Sequence, residues 1–312
     1  MNKTLLAATT LLGFASGCLK QDEPPSEIAN AIPTADQVSI KLPTSNSKIS
    51  SLTVGQTAQW YVATRDVTRT FNGGSAWVLL LIHSIVQYPV TTVDGNVYTW
   101  GPWSDALDPA EYKLDVTANG DGTFDYVFSG RSKTQANAQF EAVVTGHADS
   151  TSGDDRGNGN FLLDFDAGKR VNPIDSGDGT GSVMVTYDLA QRHLELDIDT
   201  TDKNTHEPVA ATYEYDEASD GGGDMTFSIT GDAGGGPAVE NVVLRSRWLA
   251  TGAGRADARL SGGDLATAGI EVVASECWNT MFARTYYTDN ASFAPTEGDV
   301  ASCAFATADL PQ

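Results

Sequence analysis

Carboxylates are the most abundant chemically active groups of this chain. Its 312 residues include 41 Asp and Glu against 19 Lys and Arg, which gives a formal net charge of −22. Calcium prefers several oxygen ligands at defined spacing. Two groups of such residues fall between apolar segments: Asp149, Asp154, Asp155, Asn158 and Asn160, and then Asp175 with Asp178. Neither follows the spacing D-x-[DN]-x-[DN]-G, so ordinary turn chemistry is the competing interpretation, and we predict no metal site.

Histidines and acids also occur within apolar segments. His83 lies in a nearly continuous apolar stretch and is interpreted as a core residue. His193 shares a polar face with Glu195, where a solvated pair is expected. Glu195, Asp197 and Asp199 would crowd like charges on one face of a strand. Cross-strand Lys or Arg, or a cation, would relieve that repulsion.

Catalytic motifs are missing from the sequence. It contains no G-x-S-x-G, P-loop, G-x-G-x-x-G or H-E-x-x-H pattern, so we predict no catalytic residue and no cofactor. Trp100 and Trp103 flank Gly-Pro and could form a platform for stacking sugars, although aromatic residues in a strand pattern usually pack in the core. Because acids occur throughout, the sequence does not single out a pair for glycoside hydrolysis.

The N-terminal segment has the order of a secretory signal. Lys3 precedes an apolar stretch at residues 5–14, and Ala15, Ser16 and Gly17 lead into Cys18. The stretch is too short to span a bilayer. It resembles the lipobox of bacterial lipoproteins, in which the cysteine is diacylated, cut free and usually acylated again. An ordinary signal peptide with an incidental cysteine is the alternative.

The lipobox resemblance implies a location in the cell envelope and the membrane as a partner. With Cys18 lipidated, the protein would be anchored in a membrane of the cell envelope, and Leu19 is compatible with sorting to the outer membrane. Cys277 and Cys303 then remain. Two cysteines in an exported chain predict one disulfide, with two free thiols as the alternative.

The acidic balance excludes some partners. A chain of this charge repels nucleic acid and anionic lipid headgroups. It does not oppose an acyl anchor, since acyl chains insert by hydrophobic transfer, at about 0.8 kcal/mol per buried CH₂. Apolar residues make up 40% of the chain, which is enough for a folded core. No later segment is apolar over 18 residues, so we expect no membrane-spanning helix.

Two helices are expected after an extended tether. Pro24, Pro25 and neighbouring acids predict a solvated tether over residues 19–33, within a linker that reaches residue 57. One helical face is then formed by Trp60, Thr64, Val67 and Phe71, and Asn-Gly-Gly at 72–74 predicts its end. Ser75 could cap a second helix over residues 76–87, ended by Pro89. Its β-branched residues make a buried strand the alternative.

From residue 94 onward the apolar period is two, which is typical of half-buried strands. Asp94-Gly95-Asn96 is a hairpin signal. Ten alternating runs follow, at 112–116, 124–128, 161–165, 183–189, 194–198, 209–215, 225–229, 242–248, 256–260 and 270–274. Clusters of Gly, Asp and Asn separate them, which favours short loops and antiparallel neighbours.

These patterns predict a mainly β member of the α+β class. We expect a strongly curved antiparallel meander or barrel of about ten strands, with the helical hairpin against its apolar side, because so wide a one-sided sheet must be covered or closed. The alternative is a two-sheet sandwich with the helices at an edge. The predicted divisions are a signal peptide (1–17), the lipidated cysteine and tether (18–57) and one β-rich domain (58–312).

The C-terminal half carries a second resemblance. Glu276-Cys277-Trp278, the run Tyr286-Tyr287-Thr288-Asp289-Asn290, Glu297-Gly298-Asp299 and Cys303 resemble the ends of uncharacterised Gram-negative envelope lipoproteins, as do Trp100-Gly101-Pro102-Trp103 and the run around residues 161–166. No activity transfers from that group. The function we expect is an anchored binding or scaffold module, for an apolar ligand held between sheet and helices or for an envelope protein. An acid-dependent hydrolase of the envelope is the alternative.

Overall fold

One antiparallel sheet of 15 strands, arranged in chain order, forms the body of the protein. The computed structural model describes residues 26–32, 56–153, 156–177, 179–201, 206–231, 238–263 and 271–310. The strands are β1 Thr92–Asp94, β2 Val97–Trp103, β3 Ala110–Ala118, β4 Thr123–Ser132, β5 Glu141–Asp149, β6 Asn158–Asp164, β7 Ser182–Asp188, β8 His193–Thr201, β9 Pro208–Glu217, β10 Gly223–Gly231, β11 Glu240–Trp248, β12 Gly254–Gly262, β13 Val272–Trp278, β14 Arg284–Asp289 and β15 Glu297–Gly298.

The prediction of a mainly β antiparallel meander is confirmed, but its finer form is wrong in two respects. There are 15 strands rather than ten, and β1 and β15 do not pair, so the sheet is open and not a barrel. The sandwich alternative is also wrong, because all the strands belong to one sheet. Each of the ten predicted runs overlaps a strand, and the hairpin signal at Asp94-Gly95-Asn96 is confirmed by the turn between β1 and β2. The strands that were missed are β5, β14 and β15.

Among the described residues, three α-helices accompany the sheet, α1 Ser26–Ala31, α2 Gln59–Val86 and α3 Phe165–Val171, with one short 3₁₀-helix at Val300–Ser302. The predicted helical hairpin is wrong, since α2 continues without a break through Asn72-Gly73-Gly74. Glycine costs about 1 kcal/mol in a helix interior, and packing of an apolar face commonly offsets such a cost. The helix ends at Val86, ahead of Pro89, as predicted. No helix in the described ranges is long and apolar enough to cross a membrane.

Helix α1 lies within the stretch predicted to be an extended tether. Its residues Ile28 and Ala31, and Ile32 just beyond it, are buried in the hydrophobic core. The prediction of a solvated tether is therefore wrong for this segment, because its apolar side chains are packed with the rest of the domain.

Helix α2 crosses the sheet from β13 to the β2 end. Near its start, Tyr61 contacts the ring of Trp278 on β13 at 5.8 Å between centroids. In the middle, the Thr64 hydroxyl donates to Ser246 Oγ on β11 at 2.9 Å. Just beyond its end, the Tyr88 carbonyl accepts a hydrogen bond from Trp100 Nε1 on β2 at 2.8 Å. We call the face of the sheet that contacts α2 the inner face, and the opposite one the outer face.

The sheet must curve toward the helix to make these contacts. At ~1.5 Å rise per residue, α2 covers about 38 Å between Trp60 and Ile85. Eleven ladder spacings of ~4.8 Å separate β13 from β2, which is about 53 Å in a flat sheet. The sheet therefore wraps its inner face around α2.

Glycines opposite aromatic residues accommodate this curvature. In the strand register, Gly146 faces Tyr126 and Gly159 faces Tyr187. A Cβ atom at either glycine would collide with the tyrosine ring opposite, so the ring covers the glycine backbone directly. Gly223 with Trp248 and Gly254 with Trp278 repeat the arrangement. Paired glycines and aromatics of this kind are a known device for building curved sheets.

Candidate functional site: an apolar cavity beneath α2

A cavity of about 640 Å³ lies between α2, α3 and strands β5–β8. Its apolar lining comes from α2, from the inner face of the strands and from the start of α3, and consists of Phe71, Val78, Val143, Phe161, Leu163, Phe165, Val183, Val185, Leu196 and Ile198. The remaining lining residues are Thr70, Asp164, Gly168, Asp175, Ser176, Gly177 and Gly179. The volume is within the ~300–1,000 Å³ of typical small-molecule sites.

Strands β7 and β8 supply one wall because their side chains alternate strictly between the faces. Val185 and Leu196 lie directly opposite each other in the register and are both buried. The residues that follow them, Thr186 on β7 and Asp197 on β8, point outward and are exposed. The predicted alternation over 183–189 and 194–198 thus places the cavity wall correctly.

Strand β5 contributes to the cavity through an irregularity. In the β4–β5 ladder, Phe128 pairs with Val144 and Ser129 pairs with Ala142, so Val143 is left without a partner in that ladder. Such an extra residue bends a strand and re-aims a side chain. It brings Val143 into the cavity lining, beside Gly168 of α3.

Helix α3 and the segment after it form the rim. Asp164 caps the helix by accepting a hydrogen bond from Ala167 N at 2.8 Å. Ala167 and Val171 are buried against the sheet. After Asn172, the described residues Asp175, Gly177 and Gly179 border the cavity and are exposed. The rim is therefore open to solvent, whereas Phe161 and Val185 at the base are buried.

Two carboxylates lie among the cavity-lining residues. Asp164 is engaged at the start of α3, and Asp175 Oδ2 accepts a hydrogen bond from Asn172 Nδ2 at 3.3 Å. The residues described around the cavity include no Ser–His or Cys–His pair of the kind that nucleophilic catalysis uses. Burial raises the pKa of Asp224, but that carboxylate pairs with Arg245 on the outer face of β10 and β11.

Trp100 and Trp103 do not form an exposed platform, although both line a smaller cavity of about 410 Å³ at the end of α2. Trp100 is 2% exposed and packs in the core near Tyr88, whereas Trp103 is 38% exposed beyond the bulge in β2. His83 lies on α2 and is half-buried. Its Nε2 is 3.5 Å from Nε2 of Gln87.

Turn chemistry accounts for the described part of the first acidic loop. Asp149 Oδ1 accepts hydrogen bonds from the backbone and the hydroxyl of Thr151 at 2.8 and 2.6 Å. Asp154, Asp155 and Asp178 lie outside the described residues, and so does the predicted lipidation site Cys18.

The sequence did not indicate a cluster on the outer face of β8 and β9. His193 Nδ1 lies 2.9 Å from Asp216 Oδ1, and Glu214 is close enough for the three side chains to share an ion. Glu214 also lies opposite Glu195 in the register, so no cross-strand base relieves the acidic ladder there. Both acids of the cluster are exposed, and exposed acidic groups are common without a metal.

The predicted Cys277–Cys303 disulfide is confirmed, with a Cα–Cα distance of 5.5 Å. It ties the C-terminal segment (residues 299–310) to the outer face of β13. The same segment covers a buried ion pair, Arg255 with Asp257 at 2.9 Å, through the carbonyl of Ala306 and the backbone N–H of Asp309.

Comparisons of this chain with protein-family models, with curated proteins and with solved structures found no match.

Proposed function

We propose that this protein is an exported, lipid-anchored binding protein that holds a small apolar molecule in the cavity beneath α2. The cavity is the observation that carries the proposal. Protein interiors are packed to a density near 0.74, with few voids larger than a water molecule. A space of about 640 Å³ with ten apolar lining residues is what a ligand site requires.

The gradient of polarity across the cavity supports the same function. Its base is formed by buried residues such as Phe161 and Leu196, and its polar residues lie at the rim beside α3. An apolar molecule would gain about 25 cal/mol for each Å² of apolar surface that leaves water. A polar group at one end could stay at the rim in contact with water.

The anchor is the second part of the proposal, and it is supported by the N-terminal sequence. Cys18 follows small residues and an apolar stretch, as in the lipobox. The packed helix α1 begins at Ser26, and the intervening residues can extend at most ~25–30 Å. Acylation at Cys18 would therefore hold the cavity close to the envelope membrane, which we take to be the outer membrane.

Ligand binding is tested with a fluorescent probe whose emission rises in apolar surroundings. The wild-type protein should bind such a probe saturably, with one site per chain. Val183→Phe places a ring in the cavity and should weaken binding by at least roughly tenfold, since the ring occupies volume that the probe needs for apolar burial. Thr186→Phe adds the same ring on the outer face of the same strand and should leave binding unchanged. Equal affinity in all three proteins would overturn the proposal.

The anchor is tested by fractionation of cells. Cys18→Ser should release the protein into the soluble envelope fraction or leave it unprocessed. A variant that is cleaved and still membrane-bound like the wild type would show that Cys18 carries no anchor. This result would leave the cavity unaffected, so the two parts of the proposal can fail separately.

A further inference from the structure

We propose that the cavity accepts uncharged or cationic single-chain amphiphiles and discriminates against anionic ones. This inference rests on the proposed function, because it concerns the ligand of the same cavity. The observation behind it is the sign of the charges at the rim. The charged side chains among the described lining residues are Asp164 and Asp175, and both are acidic.

The two carboxylates are held in place rather than free to turn away. Asp164 is fixed by the hydrogen bond that caps α3, and the carboxylate of Asp175 by the hydrogen bond that its Oδ2 accepts from Asn172 Nδ2 at 3.3 Å. A third carboxylate, Asp166, follows in the first turn of α3 and accepts a hydrogen bond from Gly181 N at 3.2 Å. An anionic headgroup leaving the cavity at this rim would therefore meet fixed negative charges.

Arg170 on α3 does not make the charge of the rim positive. Arg170 Nε donates to Glu141 Oε1 at 2.7 Å, and Nη2 approaches the same oxygen. The pair with Glu141, together with Asp164 and Asp166, raises the pKa of Arg170, so the guanidinium stays charged but is compensated locally. Lys169 is exposed at the end of α3 and is not among the lining residues.

The size and shape of the space favour one chain over two. The cavity runs between α2, α3 and four strands, and its volume is that of a site for one small molecule. An aliphatic tail would lie against Phe161, Val185 and Leu196, with its headgroup at the acidic rim. The ligand class is thus a long-chain alcohol, amide or amine rather than a fatty acid or an anionic phospholipid.

A matched set of probes tests this selectivity. Dodecan-1-ol, dodecylammonium and dodecanoate share one tail and differ only in headgroup charge. Each is titrated against the bound fluorescent probe below its micelle concentration, at low salt and mildly alkaline pH. Dodecanol and dodecylammonium should displace the probe, and dodecanoate should bind at least roughly tenfold more weakly than dodecanol, because the two fixed negative charges at the rim oppose its carboxylate. The discrimination should shrink as salt rises.

Two double variants assign the effect to the rim. Asp164→Asn with Asp175→Asn removes both charges while Asn still caps α3, so the fold should be kept and dodecanoate should approach dodecanol to within roughly threefold. Asp197→Asn with Glu214→Gln removes the same charge from the exposed outer face and should leave the discrimination intact. If wild-type protein binds all three compounds equally, the selectivity is overturned and the proposed function stands. If none of the three displaces the probe and the probe itself does not bind, both are overturned.

Discussion

Strands β10–β13 and strands β5–β8 lie under the same helix but meet it in different ways. In the first group, which we call the packed half, α2 contacts the sheet through Thr68 with Met225, Thr64 with Ser246, and Tyr61 with Trp278. In the second group, the cavity half, the helix and the strands stand apart around about 640 Å³ of space.

The outer face of the sheet is also more deeply buried in the packed half, at β13, than in the cavity half, at β8. Over β13 every residue is buried, because the C-terminal segment and the Cys277–Cys303 disulfide cover the outer face. Over β8 the outward residues Glu195, Asp197 and Asp199 are exposed. At β13 the packed half is thus covered on both faces, whereas at β8 the cavity half is covered only on its inner face and leaves room for a ligand. Rigid packing in one region is what allows a stable void in its neighbour.

Removal of the Glu276 carboxylate should be the most damaging change to the packed half. Glu276 is fully buried, and it accepts hydrogen bonds from the backbone N–H of Trp60 and from Arg284 Nε, both at 2.5 Å. Glu276→Ala leaves the buried guanidinium of Arg284 with a 3.5 Å contact to the exposed Glu297 and with the ring of Tyr287, but without its closest carboxylate. We expect a loss of ~3–5 kcal/mol in unfolding free energy, measured by denaturant titration. Asp197→Ala, on the exposed face of β8, should change it by less than ~0.5 kcal/mol. Similar losses in the two variants would contradict the distinction between the halves.

The disulfide should stabilise the packed half without affecting the cavity. Cys277 and Cys303 are 26 residues apart, and closing such a loop restricts the unfolded chain by about 3.5 kcal/mol in the chain-entropy model. Cys303→Ser should therefore lower the unfolding free energy by ~2–4 kcal/mol. A reductant should destabilise the wild type and leave the variant unchanged. Binding of an apolar probe should be equal in both proteins, and weaker binding by the variant would show that the halves are coupled.

The sequence allowed the regular part of the sheet to be predicted, because half-burial imposes a period of two. The strands β7 and β8 are the clearest case, since Leu194 and Leu196 alternate with exposed acids along the whole run. Strand β5 was missed because its extra residue, Val143, interrupts the alternation and most of its residues are only half-buried. The sequence predicted two helices where the structure has the single helix α2. Asn72-Gly73-Gly74 is a local signal for a helix end, and it does not show the tertiary packing that stabilises the continuous helix.

The candidate site could be predicted in outline only. A void between helix and sheet follows from an all-round apolar helix over a one-sided sheet, and the cavity has that location. Its rim could not be foreseen, because Phe165 continues the alternation of β6 in the sequence but begins α3 in the structure. The cluster of His193 with Asp216 was equally hidden, since it depends on the register of β8 against β9.

Matched leucine truncations would show how differently the two halves are packed. Leu196 on β8 and Leu244 on β11 are both buried, at 2% and 3% exposure, but only Leu196 borders the cavity. The cost of Leu→Ala ranges over ~2–5 kcal/mol and is larger where the side chain is closely surrounded and its removal leaves a new void. We expect Leu244→Ala to cost ~3–4 kcal/mol and Leu196→Ala ~2 kcal/mol in unfolding free energy. Costs in the reverse order would mean that the cavity half is packed as tightly as the other. Saturation with a cavity ligand should raise the cost of Leu196→Ala and leave that of Leu244→Ala unchanged, because only the first residue would contact the ligand.

A buried hydroxyl close to β6 offers a smaller and pH-dependent test. The Tyr187 ring covers Gly159, and its hydroxyl is buried without a hydrogen-bond partner among the described residues. An unpaired buried hydroxyl is costly, so Tyr187→Phe should raise the unfolding free energy by about 1 kcal/mol near pH 8. Burial also raises the pKa of Tyr187 above its ordinary value near 10. Above that pH the unfolded chain loses the phenolic proton while the folded chain keeps it, so wild-type stability falls by up to ~1.4 kcal/mol per pH unit from this group.

The stability advantage of Tyr187→Phe should therefore grow between pH 9 and pH 11, since phenylalanine has no proton to lose. Denaturant titrations of wild type and variant at matched pH values measure this difference. Tyr88→Phe serves as the control for the loss of a hydroxyl, because Tyr88 is 69% exposed and its substitution should change the unfolding free energy by less than ~0.5 kcal/mol. A difference between wild type and Tyr187→Phe that stays flat with pH would mean that the phenol of Tyr187 is reached by solvent in the folded protein. The strands beside the cavity would then open more readily than those of the packed half, and the contrast between the halves would extend from packing to dynamics.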